Sequence, residues 1–189
     1  MTEARTLAAL VERLGRMSHA LQFSTGLNPS QWEALRYLAR ANRYSASPTA
    51  LAKYLGITKG TVSQTIIALE SKGLVTRVRG RPDGRSVHLE LTDEGRNLLC
   101  SDPLRVVNEA GGCMTDAERE ATIRGMNKLL DALCQEKGRC GFGVCGDCTH
   151  LDSRPCAKGG GEGCFCGLAN ESLATEDLQK LCVNFQSAP

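Results

Sequence analysis

Residues 51–77 read LAKYLGITKGTVSQTIIALESKGLVTR and contain two short helical segments separated by a tight turn. Gly56 is placed to end the first helix, and Thr58 is placed to cap the second. The second helix has one apolar face, and small polar residues lie opposite it. That apolar face is formed by Val62, Ile66 and Leu69. Two short helices joined in this way predict a helix-turn-helix.

Two alternating, β-branched segments follow at 74–78 and 86–91, which predicts a pair of strands. The phrase RGRPDGR between them carries a Pro-Asp-Gly turn signal. Five basic residues and a single acid, Asp83, lie between Lys72 and His88. The segment therefore predicts a β-hairpin, or wing, whose arginine-rich tip suits contact with phosphate.

Further amphipathic helices flank this unit. Asn28 is placed to cap a helix that begins at Pro29, and an apolar stripe runs from Leu7 to Leu21 in the opening helix. We expect a fifth helix after Thr92 that Pro103 kinks or interrupts. A sixth, from Thr115 to about 137, carries a second apolar stripe. The predicted fold class is mainly α with a small β-hairpin wing.

The composition narrows the class of protein. The chain has 189 residues, 41% of them hydrophobic, and a formal net charge of +2. Its first residues show neither a secretory signal nor a membrane span, which predicts a cytoplasmic protein. No catalytic triad, paired-carboxylate signature or phosphate-binding loop is found, so we expect no enzyme activity.

The phrases LNPSQWEALRYL (27–38), the helix-turn-helix phrase above and DGRSVHLELTDEGR (83–96) resemble the MarR (multiple antibiotic resistance regulator) family. The resemblance covers about residues 1–137. It implies a homodimeric transcriptional regulator whose first, fifth and sixth helices form a dimerisation layer. It also implies a double-stranded DNA partner with a near-palindromic operator, because the two recognition helices of such a dimer lie about one DNA turn apart.

The helix and the wing supply the candidate DNA contacts. Gln64 is suited to reading adenine, Thr61 and Ser63 to meeting phosphates or base edges, and the wing arginines to entering a minor groove. The resemblance makes 61–65 the groove-reading segment and Arg85 the wing-tip contact, oriented by Asp83. Gln64 stands where many relatives have arginine, so no operator preference carries over. The full predicted set is Lys59, Thr61, Ser63, Gln64, Thr65, Arg81 and Arg85.

The last fifty residues hold seven of the ten cysteines. This stretch is rich in glycine and poor in apolar residues, and it predicts a second domain, a small irregular metal-binding lobe over 138–189, after a first domain over 1–137. The spacing Cys140-x4-Cys145-x2-Cys148 is that of the first three ligands in plant-type ferredoxins, and Cys145-x2-Cys148 alone is also a zinc-knuckle turn. The spacing therefore does not choose between a cluster and zinc. His150 is interpreted as a solvent-exposed loop residue.

The tail also resembles a cysteine-bearing extension found on some MarR-type proteins. That resemblance implies the ligands Cys145, Cys148, Cys166 and Cys182, with Cys140, Cys156 and Cys164 spare or alternative. Cysteines in excess of four and flanking glycines favour an iron–sulfur cluster, [2Fe-2S] or [4Fe-4S]. Zinc is the alternative cofactor, and a set of thiols that form disulfides on oxidation is a third possibility. Cys100, Cys113 and Cys134 are interpreted as small buried hydrophobes.

The leading hypothesis is a repressor that senses redox or iron status through the cluster. Because the lobe follows the sixth helix, we expect it to act through the dimer layer. A second hypothesis is a regulator with a structural zinc lobe that responds to a small aromatic effector. A third is an enzyme or electron carrier whose winged helix binds a protein partner. The operator, the target genes, the DNA-binding state and the physiological signal are not encoded in these patterns.

Overall fold

The computed structural model describes residues 3–23, 26–79, 87–136, 141–152 and 163–186. The helices are α1 (Glu3–Leu21), α2 (Pro29–Arg40), α3 (Pro48–Leu55), α4 (Lys59–Ser71), α5 (Asp93–Leu99), α6 (Arg105–Gly111) and α7 (Asp116–Glu136). The strands are β1 (Val75–Arg79), β2 (Val87–Leu91), β3 (Gly143–Val144), β4 (Leu151–Asp152), β5 (Cys164–Cys166), β6 (Glu171–Leu173) and β7 (Leu181–Cys182).

The predicted helix starts are confirmed by their capping hydrogen bonds. The amide of Gln31 donates to Asn28 Oδ1 at 2.9 Å, and the amide of Asn28 donates back to Gln31 Oε1 at 3.3 Å, which forms a capping box at α2. The amide of Ala50 donates to Ser47 Oγ at the start of α3. Gly56 ends α3 in the left-handed conformation, at φ 67°, which glycine adopts without steric cost.

Helices α2, α3 and α4 enclose the main core together with the hairpin. Strands β1 and β2 pair antiparallel from Val75↔Leu91 to Arg79↔Val87, within one residue of the predicted strands. The turn that joins them lies outside the described residues. The largest fully buried side chains of this core are Trp32, Tyr37, Leu35, Leu51, Ile66, Leu69, Leu89 and Val62.

The predicted fifth helix is interrupted next to Pro103, as expected, and forms α5 and α6. Asp102 at this corner accepts two hydrogen bonds from Arg36, at 2.6 and 2.7 Å. Arg36 also donates to Gln22 Oε1 at 2.9 Å. The hydrogen bonds of Arg36 therefore connect the corner at Asp102 to α2 and to the end of α1.

Both predicted apolar stripes are exposed in the single chain. Leu10 on α1 is 52% exposed and Leu130 on α7 is 57% exposed. Further exposed apolar side chains on α1, α6 and α7 are Leu7, Val11, Leu14, Met17, Val106, Val107, Ile123 and Leu133. Exposed apolar side chains that recur along three helices are typical of an interface.

The cysteine-rich lobe is more regular than predicted. Strand β3 pairs with β7, and β4, β5 and β6 form a three-stranded antiparallel sheet. The phrase SLATEDLQKLC was expected to be a short helix capped by Ser172 or Thr175. It forms β6, one 3-10 turn at Thr175–Gln179 and β7 instead. The turn is closed by Asp177, which accepts a hydrogen bond from the amide of Ala174 at 3.2 Å.

We predict that Gly95→Ala destabilises the protein by about 3 kcal/mol, because overpacking of a buried site forces the backbone to move. Gly95 is buried in the first turn of α5, and a Cβ there would lie 2.2 Å from the carbonyl oxygen of Leu74. Urea unfolding followed by circular dichroism measures the change. Gly125→Ala on α7 is the matched control, since nothing lies within 4 Å of its added Cβ. An unchanged unfolding midpoint for Gly95→Ala would contradict the close approach.

No helix in the described part of the chain is both long and apolar enough to cross a bilayer.

Candidate functional site

Helix α4 presents a polar face to solvent beside the short turn from α3. Lys59, Thr61, Ser63 and Gln64 are exposed on this face. The amide of Thr61 donates to Thr58 Oγ1 at 3.2 Å, which caps the start of the helix. Thr61 and Ser63 have short side chains, and Lys59 lies at the start of the helix, so the first turns of α4 are shaped to approach the floor of a major groove.

The structure corrects the place of Thr65 in the predicted DNA-contact set. Thr65 is only 8% exposed, and its hydroxyl donates to the carbonyl of Thr61 at 3.1 Å. Its side chain is therefore packed with Val62 and Ile66 on the buried side of α4. A threonine hydroxyl that donates to a carbonyl of its own helix can be buried with little loss of free energy. The helical wheel shows only the angular position of Thr65 and not this hydrogen bond.

The wing-tip candidates Arg81 and Arg85, together with Asp83, lie outside the described residues. At the base of the hairpin, Arg77 forms an ion pair with Glu70 on α4 at 3.3 Å. This pair joins the first strand of the wing to the predicted recognition helix. The wing and α4 are thus connected directly, as a surface that contacts both a groove and its neighbouring backbone requires.

A cavity of about 290 Å³ lies in the lobe, and the thiols of four cysteines line it. Cys145 and Cys182 are buried, and Cys148 and Cys166 are partly buried. These are the four residues that the sequence resemblance named as ligands. The other residues on the wall are Asn42, Tyr44, His150, Leu151, Leu168, Ala169, Leu173 and Asn184.

Three short elements bring these thiols to one cavity. Cys145 and Cys148 bracket a single 3-10 turn, closed by the amide of Cys148 donating to the carbonyl of Cys145 at 3.2 Å. Cys166 ends β5 opposite Leu151 of β4. Cys182 ends β7 opposite Gly143 of β3. Residues far apart in the sequence therefore meet through strand pairing.

The remaining cysteines differ in position. Cys164 packs with the cluster of Cys145, Leu173 and Cys182, but it is not on the wall of the cavity as the structure describes it. Cys140 and Cys156 lie outside the described residues. Cys100 and Cys113 are exposed in the single chain, so their interpretation as buried hydrophobes is wrong for the single chain. The side chain of Cys134, the third cysteine of that interpretation, lies outside the described residues.

Burial raises the pKa of the Cys145 thiol above its ordinary value. A hydrogen bond from Asn42 acts in the opposite direction, and the charges of Cys182, Cys148 and Cys166 raise the pKa further. A cationic group beside Cys145 would act against this increase in its pKa.

Two cavity residues were missed or misread in the sequence. Asn42 belongs to the winged helix, yet its Nδ2 donates to the Sγ of Cys145 at 3.4 Å. His150 was interpreted as a solvent-exposed residue, but it is partly buried on the cavity wall.

Within the described residues, no group of three or more His, Cys, Asp or Glu side chains is arranged to hold a single metal ion.

The lobe docks on the turn between α2 and α3 (residues 41–47) and on α3. Ser45 Oγ accepts a hydrogen bond from the amide of Val183 at 2.8 Å, and the amide of Asn42 donates to the carbonyl of Leu181 at 2.9 Å. Leu181 is 6% exposed and is part of the main core. The lobe is thus continuous with the winged helix.

Aromatic and charged contacts extend the same interface. Phe142 of the lobe packs edge-on against Tyr37 and Tyr54, with ring centroids at 6.0 and 5.1 Å. Arg43 forms an ion pair with Glu171 at 2.9 Å. We expected the lobe to act through the dimer layer because of its position after α7. These contacts connect it to the helix-turn-helix itself.

Comparison with known proteins finds similarity in the winged-helix part of the chain. Residues 25–86 match the model of the MarR family. The HTH-type transcriptional repressor YetL of Bacillus subtilis is 32% identical over 87 residues, which cover 44% of this chain and 52% of the repressor. The aligned region thus spans about half the length of that relative.

Two solved structures share the fold. The MepR–DNA complex of S. aureus is 20% identical and has a TM-score of 0.54, and the alignment covers 70% of this chain and 96% of MepR. BldR from Sulfolobus solfataricus is 24% identical with a TM-score of 0.53, over 70% of this chain and 99% of BldR. The fold is therefore a winged helix-turn-helix like that of MepR and BldR.

Proposed function

We propose that this chain is a MarR-type transcriptional regulator, a repressor, that binds DNA as a homodimer and senses redox or iron status through an iron–sulfur cluster in its C-terminal lobe. The observation that supports the cofactor part is that four cysteines line one cavity. The observation that carries the DNA part is the solvated polar face of α4 next to the paired strands of a wing.

Several features support DNA as the partner. Lys59, Thr61, Ser63 and Gln64 form an exposed polar surface at the start of α4, where a recognition helix contacts base edges. The MarR family model matches this segment, and the solved MepR complex contains DNA. The wing arginines Arg81 and Arg85 complete the proposed surface, as contacts to the DNA backbone and minor groove.

A two-fold dimer accounts for the exposed apolar side chains of α1, α6 and α7. Burial of a leucine such as Leu130 against a second copy removes its apolar surface from water, which stabilises the assembly by about 25 cal/mol for each Å². Such a dimer carries two copies of α4 and is matched to a near-palindromic site.

The donor set fits an iron–sulfur cluster. Iron–sulfur clusters take thiolate ligands, and Cys145, Cys148, Cys166 and Cys182 would supply four. The cavity of about 290 Å³ leaves room for a group larger than one ion between these thiols. When bound, the cluster would supply one-electron redox chemistry. The chain itself holds the four cysteines in place through β5, β7 and the 3-10 turn at Cys145–Asp147, and the buried Leu173 lies on the same cavity wall.

A second candidate is a zinc-bearing regulator that responds to a small aromatic effector. It is favoured by another cavity, of about 370 Å³, between α1, α2 and α3. Tyr54, Arg36 and His19 lie on its wall, which combines an aromatic surface with polar side chains. Visible absorption separates the two proposals, since a zinc protein is colourless.

The test of this function is DNA affinity with and without the cofactor. Anaerobically purified protein and the same protein stripped with a chelator are compared on selected duplex DNA in a gel-shift titration at fixed salt. We expect one form to bind at least about tenfold more tightly than the other, because a cofactor-linked shift of about 1.4 kcal/mol suffices. Equal affinities would contradict sensing, and a failure of both forms to bind would contradict a DNA-binding function.

A further inference from the structure

The side chain of Asn42 uses both of its polar ends. Nδ2 donates to Cys145 Sγ at 3.4 Å, while Oδ1 accepts from the amides of Tyr44 and Ser45 at 3.1 and 3.0 Å. The residue is 2% exposed, so water does not replace these partners. One buried amide therefore joins a thiol of the cavity to the backbone of the turn at 41–47.

That turn determines how α3 leaves α2. Tyr37 at the end of α2 donates its hydroxyl to the carbonyl of Ser45 at 2.7 Å. The amides of Ser45 and Ala46 donate to the carbonyl of Asn42, both at 3.0 Å. Since α3 begins at Pro48 and packs against α4, a change in this turn alters the support of the recognition helix.

We propose that Asn42 is the positioning residue through which the state of the Cys145 sulfur reaches the helix-turn-helix. The inference rests on the function proposed above and specifies its route. A sulfur that is held as a ligand has a fixed position, and the Asn42 amide is hydrogen-bonded to the Cys145 sulfur at 3.4 Å. Ligation of Cys145 therefore fixes Asn42 and, through Oδ1, the turn. Loss of the bound group frees Cys145 Sγ to move and releases both.

The same hydrogen bond also influences the cofactor. Donors to ligand sulfurs stabilise the more negative, reduced form of an iron–sulfur cluster and thereby raise its potential. A residue that served only to support the turn would leave the potential unchanged. The potential therefore distinguishes a link to sulfur from a purely structural role.

The test uses Asn42→Asp in the full chain, because aspartate keeps the acceptor for Tyr44 and Ser45 and removes the amide donor. Asn42→Ser is measured beside it, because serine removes the amide donor without adding the negative charge of aspartate, and only a shift of the reduction midpoint in both variants supports the inference. The matched control is Arg43→Gln, which removes the ion pair to Glu171 from the same turn without touching a thiol. Each protein is assayed for iron and sulfide, for its reduction midpoint by visible absorption, and for DNA affinity in the loaded and cofactor-free forms.

We expect Asn42→Asp to hold iron. At a fixed potential the ratio of reduced to oxidised cluster should be about tenfold lower than in the wild type, because the variant lacks a hydrogen bond to a charged ligand sulfur, and such bonds are stronger than those between neutral groups. In the wild type the cofactor-loaded and cofactor-free forms should differ in DNA affinity, and in Asn42→Asp this difference should shrink at least about fivefold. Arg43→Gln should keep the reduction midpoint and the affinity difference of the wild type. The inference is overturned by a variant that matches the wild type in both readouts, or by an equal loss in Arg43→Gln.

Hydrogen exchange on the wild-type protein keeps the inference testable if Asn42→Asp does not retain iron. The amides of Ser45 and Ala46 should exchange at least about tenfold more slowly in the loaded protein than in the free protein. Equal exchange in both forms overturns the inference while leaving the proposed sensor intact. A wild-type protein that binds no iron instead overturns the proposed function itself.

Discussion

Anaerobically purified Cys166→Ser protein should contain less than about a tenth of the iron of the wild type, because a thiolate ligand contributes more to affinity than the outer-shell groups whose loss already costs 10–100-fold. Cys166 is the informative choice among the four. It ends β5 and, unlike Cys145, has no hydrogen bond with Asn42 among the described contacts, so we expect its replacement to leave the docking of the lobe on the turn in place.

The control is Cys164→Ser in the same strand. Cys164 lies two residues from Cys166 but is not on the described cavity wall, so its replacement should leave iron content and DNA affinity unchanged. Iron is measured by mass spectrometry, and folding by circular dichroism. Equal loss of iron in both variants would show that the quartet is wrongly assigned. Full iron content in Cys166→Ser would exclude it as a ligand.

Gln64→Glu should weaken DNA binding at least about 100-fold, because a good bidentate base contact contributes about 1–3 kcal/mol and a dimer carries two copies. Gln64 is exposed on the polar face of α4, so the change does not disturb the core. Each glutamate also adds one negative charge, or two for the dimer, to the surface that we propose faces DNA phosphates. This added charge opposes binding to any DNA sequence.

The same chemical change at exposed Gln179 in the lobe is the control and should leave DNA affinity within about twofold, since a distant, exposed charge is largely screened. Fluorescence anisotropy with labelled duplex DNA at fixed salt measures both variants. Equal affinities of Gln64→Glu and the wild type would show that α4 does not enter the groove.

Local signals in the sequence were sufficient to predict the winged helix. Asn28, Ser47, Thr58 and Thr92 each precede a helix and accept a hydrogen bond from an amide three residues later. Pro103 marked the break between α5 and α6. These features depend on interactions between near neighbours, which a sequence displays directly.

The lobe was harder to predict because its order comes from distant contacts. Strands of two or three residues, such as β3 and β7, are too short to show alternation. The hydrogen bond between Asn42 and Cys145 joins residues 103 positions apart, and no local pattern marks Asn42 as a cavity residue. Thr65 was placed among the DNA contacts because its intrahelical hydrogen bond is not visible in residue spacing.

The candidate ligands came from a resemblance, and strand pairing explains why they meet. The spacing between Cys148 and Cys166 carries no information about the pairing of Leu151 with Cys166. Likewise, the pairing of Gly143 with Cys182 is a property of the fold and not of a motif. The spacing of cysteines alone therefore left the ligand set and the metal open.

The central claim is that the lobe holds an iron–sulfur cluster. The most direct test is to measure iron and acid-labile sulfide per protomer on the full chain purified without oxygen. The account predicts both elements in equal amounts, at either two or four of each, together with a brown colour and visible absorption. Stoichiometric zinc without sulfide would contradict the proposed cofactor, and protein that binds no metal would remove the basis for the sensor.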